Sequence, residues 1–167
     1  MILRSLSSFF VPQEVVPQQR PRATSFAGHA HVYDLPKCSE FRNLVRMITS
    51  QAWKNPPLEK NVPLMVRAVF ILAIPKSASA RRRKLMIDGM ILPTRKPDVD
   101  NAAKGILDGA TGIIWQDDSQ IQCLSCGKFF GETPGTFVNV YQIINYNKED
   151  MTFLVRNVNK EKDDENC

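Results

Sequence analysis

Residues 62–74 read VPLMVRAVFILAI, a β-branched and nearly continuous apolar run broken only by Pro63 and Arg67. A membrane-crossing helix needs about 20 apolar residues, so the run is too short to span a bilayer. Its composition predicts instead a central strand covered on both faces, closed by Pro75. Upstream, Phe41, Leu44, Val45, Ile48 and Ala52 recur at helical spacing after Pro36, and Pro56-Pro57 ends the pattern. Further upstream, Phe9 to Val16 carries Pro12 with Pro17 beside it, which predicts an edge strand because proline cannot donate to a ladder. Ala30 to Tyr33 is expected to pair with it in a hairpin around Ser25 to Gly28.

Downstream of the central run, Ser77 to Asp88 predicts a short helix before Gly89 and carries Arg81, Arg82, Arg83 and Lys84. Those four residues form either a solvated face or a phosphate-contacting one. From Val99, residues Val99, Ala103, Ile106 and Ala110 step by four, three and four, which places one apolar stripe of a second helix against the core. Ile121 to Phe130 and Thr136 to Tyr146 are expected to pair around Gly131 to Gly135. The sum is a single α+β domain over residues 1–147, a mixed β-sheet packed with helices on its faces. Residues 148–167 make a polar, acidic tail in which Phe153 to Val158 could dock.

The formal net charge of +5 understates the body of the chain, because Asp163, Asp164 and Glu165 are gathered in the tail. A basic surface favours a polyanionic partner, since neutralised phosphates release their condensed counterions. Four cysteines, Cys38, Cys123, Cys126 and Cys167, are too few and too scattered for a secreted disulfide framework. The first sixteen residues lack the long apolar region and cleavage site of an export signal. These features point to a cytoplasmic protein with no membrane span. Cys123 and Cys126 could supply half of a zinc site, but no second pair completes it and His29 and His31 lie far upstream, so plain thiols are the expectation.

Chemistry concentrates in residues 96–120, KPDVDNAAKGILDGATGIIWQDDSQ. Pro97 disfavours helix before it, and in an extended backbone Asp98 and Asp100 would point the same way. Two converging carboxylates repel unless a cation offsets them, which suits a Mg²⁺ or Mn²⁺ site. The alternative is structural, with Asp100 as a helix N-cap and Asp98 as a turn residue. Lys104 and Asp108 follow Asp100 at successive four-residue steps, the pattern of either a site residue or a surface ion-pair ladder. Asp117-Asp118 adds carboxylates in a turn from which the chain could return to the start of the helix.

The order K-P-D-V-D-N-x-x-K-x-x-L-D followed by G-I-I-W-Q-D-D-S-Q-I resembles the RusA family of Holliday-junction resolvases, common in bacteriophages and prophages. A weaker likeness extends from Phe9 to Tyr146 and includes the PQQRPR segment at residues 17–22. The resemblance implies that Asp98, Asp100 and Asp118 are catalytic carboxylates holding Mg²⁺, with Mn²⁺ able to substitute, and that Lys104 is an essential lysine. Asn101 and Asp117 fall beside them. It also implies a homodimer that cuts paired strands of a four-way DNA junction, each subunit supplying one site. Arg20, Arg22, Arg81, Arg82, Arg83 and Lys84 are the candidate phosphate contacts. Phe9, Phe10 and Phe26 are candidate wedges at the crossover. The chain departs from the family pattern at Ala102-Ala103, where relatives carry bulkier residues, at Gly105 within the helix, and in its long acidic tail.

Two other readings compete. A D-x-D pair also binds metal-nucleotide in sugar transferases, but those chains are far longer and carry a nucleotide-binding fold not legible here. A non-catalytic basic nucleic-acid-binding module would use the same aspartates as caps and turn residues. Mg²⁺-dependent hydrolysis of a synthetic junction separates these from a nuclease.

Overall fold

The computed structural model describes residues 1–19 and 35–145, together with the backbone of 22–26 and 29–33. Strand β1 (Ile2–Val11) is followed by β2 (Arg22–Phe26), β3 (His29–Tyr33), α1 (Pro36–Ala52), β4 (Leu64–Ala73), α2 (Ala80–Ile87), α3 (Val99–Ala110), β5 (Ile121–Gly131) and β6 (Gly135–Asn145). The main sheet is mixed and runs β1-β6-β4-β5, while β2 and β3 form a separate antiparallel pair. This is a single α+β domain, the expected class. The expected tail, with its Phe153–Val158 segment, lies outside the described residues.

β4 sits at the middle of the sheet for the reason its sequence gives: it is the most apolar strand and has a neighbour on each side. It pairs antiparallel with β6 and parallel with β5. Its alternate residues Leu64, Val66, Ala68, Phe70 and Leu72 are buried in one core with Val138 and Val140 of β6 and Phe9 and Val11 of β1. Phe41 and Val45 of α1 and Ala103 and Ile106 of α3 close that core from above. The opposite face differs from the expectation of cover on both sides. Arg67 and Phe137 are exposed there, and Val69 and Ile71 are only half-buried. β4 therefore reads as continuously apolar although the described helices cover one of its faces.

Two pairings also differ. β5 and β6 do not form a hairpin; β4 lies between them, since the most apolar strand gains more by occupying the centre than the adjacent strands gain by pairing. β1 starts seven residues earlier than expected and ends before Pro12, at the sheet edge where proline costs no ladder bond. Its partner is β6, and β3 pairs with β2 instead.

α3 packs directly on α1. Gly109 makes this possible: a Cβ there would stand 2.6 Å from Cβ and Cγ1 of Val45. Gly105 faces Val16 O at 3.3 Å and the Phe41 ring at 3.4 Å on the same criterion. Ala102 and Ala103 are buried in the core cluster. Gly105 and Gly109 thus lie where the α3 backbone comes closest to its neighbours.

Candidate active site

α3 begins at Val99, so Asp98 and Asp100 are not on one extended stretch as expected. Asp98 is the N-cap, in extended conformation, and Asp100 lies in the first helical turn. Asp98 makes no side-chain cap hydrogen bond, so its carboxylate is not spent on the helix end. Pro97 before it is buried, and the Lys96–Pro97 peptide is cis. Both carboxylates open onto a cleft of about 570 Å³ shared with Lys96, Asn101 and the Pro17–Gln19 segment. That segment is held there by the Gln18 N–H, which donates to Asn101 O at 2.9 Å. The helix N-terminus also favours negative charge at this point.

Asp118 lies elsewhere. Its Oδ1 accepts from Thr111 Oγ1 at 2.5 Å and from the indole N–H of fully buried Trp115 at 3.0 Å. Thr111 is the C-cap of α3, whereas Asp98 is its N-cap. Twelve helical residues separate the two, about 18 Å at ~1.5 Å per residue. The expected return of the turn to the start of the helix is not what the chain does. Among the described residues, no three His, Cys, Asp or Glu side chains are close enough to share a metal ion.

The donor chemistry of the cleft nevertheless fits a hard divalent cation. Asp98 and Asp100 offer carboxylate oxygens beside Asn101, and Mg²⁺ is commonly held by one or two carboxylates while keeping several waters. Lys104 is exposed on α3, one turn beyond Asp100.

Asp117 is a structural cap. Its carboxylate accepts from Ser119 N at 2.9 Å, and its hydrogen bonds from Ser119 hold its pKa below the ordinary carboxylate value. Gln120, which the sequence did not single out, locks the turn. Its buried amide oxygen accepts from Gln116 N at 2.8 Å and Asp117 N at 3.2 Å, and its Nε2 donates to Glu59 O at 2.8 Å.

The basic residues Arg81, Arg82, Arg83 and Lys84 are exposed on α2, whose Met86 is buried in the core. Arg83 pairs with Glu132 at 3.3 Å. Arg20 lies outside the described residues, and only the backbone of Arg22 and Phe26 is described. Phe9 is buried in the core and so cannot wedge DNA, whereas Phe10 packs on Phe137 with ring centroids 4.5 Å apart. Cys123 and Cys126 pair with Met65 and Ala68, residues on opposite faces of β4, so they share no metal site; both are free thiols.

A family model described as endodeoxyribonuclease RusA matches residues 12–141, which include the whole cleft, α3 and the Asp117-Asp118 turn. The chain belongs to the RusA family. Membership makes it an endodeoxyribonuclease of the kind that resolves Holliday junctions. A Bacillus subtilis (strain 168) relative named "Uncharacterized protein YqaN" is 34% identical over 137 residues, covering 81% of this chain and 95% of its own length. No helix among the described residues of this RusA-family chain is long and apolar enough to cross a membrane.

Proposed function

We propose that this protein resolves four-way DNA junctions as a homodimer, by paired, metal-dependent phosphodiester hydrolysis in the cytoplasm. The observation that carries the reading is the pair Asp98 and Asp100, facing one polar cleft and not spent on capping, in a chain of a junction-resolving nuclease family. Asp98 and Asp100 would hold Mg²⁺, with Mn²⁺ as substitute. Bound there, the ion supplies charge neutralisation at phosphorus and a lowered pKa for the attacking water. Lys104 contributes a compact positive charge for the phosphate oxygens. The exposed basic helix α2 takes a DNA arm through its phosphates.

Asp118 cannot join this cleft within one chain, because α3 stands between them. An isologous dimer resolves the difficulty: in a two-fold arrangement, each contact made by one copy is repeated by the other. The partner subunit's Asp118 would complete the carboxylate set at each cleft. Two related sites would then be assembled together, which suits a substrate whose two strands must be cut as a pair.

Subunit mixing tests this. Asp98→Asn and Asp118→Asn are each expected to lower junction cleavage by about 100-fold or more, with junction binding retained. Mixing the two variants is expected to restore nicking of one strand, because a heterodimer then carries one cleft with both native aspartates. Sites built within single chains would leave the mixture inactive. Normal cleavage by Asp98→Asn would remove Asp98 from the catalytic set and, with it, this reading of the cleft.

A further inference from the structure

The segment before α3, residues 92–98, has no regular hydrogen-bonded structure of its own. Two cations running in opposite directions fix it to the sheet. Arg95 reaches to the end of β4, where its Nη2 donates to Ala73 O at 3.2 Å and its guanidinium lies 5.8 Å from the centroid of the Phe130 ring. Lys128 of β5 reaches the other way: its Nζ donates to Arg95 O at 2.8 Å and to Pro97 O at 2.9 Å. Lys128 pairs with Phe70, so it rises from the core face of the sheet, half-buried, and its ammonium ends on main-chain carbonyls.

We infer that Lys128 is a positioning residue for the carboxylate site. The Pro97 carbonyl oxygen that it holds and the Cα of Asp98 belong to one planar peptide unit. The proline ring restricts the backbone on the near side of that unit. A second bond to Arg95 O, on the other side of Lys96, leaves the segment little freedom to pivot. One ammonium with several donors therefore sets where the Asp98 carboxylate enters the cleft. Lys128 does not line the cleft and acts only through the backbone. The inference rests on the reading of Asp98 as a metal-holding residue.

Lys128→Met keeps the apolar stem and removes the donors, whereas Lys128→Arg keeps charge and donors in a different geometry. Two readouts are taken on the full chain: hydrogen–deuterium exchange of the 92–101 segment without metal, and Mn²⁺ affinity by electron paramagnetic resonance. In Lys128→Met, exchange of that segment is expected to quicken by about 10-fold or more, with other segments unchanged. The Mn²⁺ dissociation constant is expected to rise about 10- to 100-fold, the usual cost of losing an outer-shell support. Lys128→Arg is expected to fall between, and it decides on the same readouts should Lys128→Met not fold. Mn²⁺ affinity within about two-fold of the native protein would overturn the inference, whatever the exchange shows. Mn²⁺ binding insensitive to Asp98→Asn would instead overturn the reading of the site, and the metal-free exchange would still judge the tether by itself.

Discussion

Asp117 and Asp118 are adjacent, yet the fold gives them different work. Asp117 faces the following backbone and caps the short turn at Asp118–Gln120, while Asp118 faces back to Thr111 and Trp115. The hydrogen bonds from Ser119 hold the Asp117 pKa below its ordinary 3.8, so folding favours its ionised form. Its contribution to stability is present above the unfolded value and fades as pH falls below it. Thermal melts should therefore show Asp117→Asn less stable than the native protein by a constant margin at pH about 5 to 7, with the margin closing below about pH 4. A margin independent of pH would deny the carboxylate that role. The D-x-D and D-D clusters are legible in the sequence because their members are neighbours along the chain. Lys128 and Gln120 are not, because the carbonyls they hold lie 31 to 33 and 58 to 61 residues away. No local pattern marks a lysine or glutamine for such a role.

Among the elements, α1, β4 and α3 are readable from apolar period alone, because each buries a face that must be apolar at the matching spacing. Strand partners are not readable in this way. The alternation in β5 and β6 states that each has a core face, but not that β4 inserts between them. The site was half legible for the same reason: the start of α3 is a local matter, whereas the placing of Asp118 at its far end is a matter of chain path. Glycine within α3 looks like a defect on helix propensity, and the contact with α1 explains it. Gly109→Ala gains up to about 1 kcal/mol of propensity but forces a Cβ to 2.6 Å from Val45, and overpacking of that kind costs about 1–3 kcal/mol. Urea denaturation should show net destabilisation, partly relieved by Val45→Ala. Gly105→Ala, whose nearest neighbours stand at 3.3–3.4 Å, should be markedly milder. Equal effects at the two positions would refute the close-approach account.

For the molecule as a whole, charge and helix length matter most. Arg81, Arg82 and Lys84 are exposed on α2, while Arg83 already pairs with Glu132. If the three meet DNA phosphates, replacing them with alanine should flatten the slope of log affinity against log salt by up to about 0.9 per contact. Thermal stability should change by no more than about 0.5 kcal/mol per substitution. An unchanged slope would return α2 to the role of a solvated face. α3 has a further consequence. Because Asp98 marks one end and the residue gripping Asp118 marks the other, in the proposed dimer the helix would act as a ruler between two half-sites. Inserting a single residue would lengthen it by about 1.5 Å and turn one end against the other by roughly 100°. The loops around it can vary in length with little penalty, but in the proposed dimer this segment's residue count would be fixed by the need for two copies to meet in register.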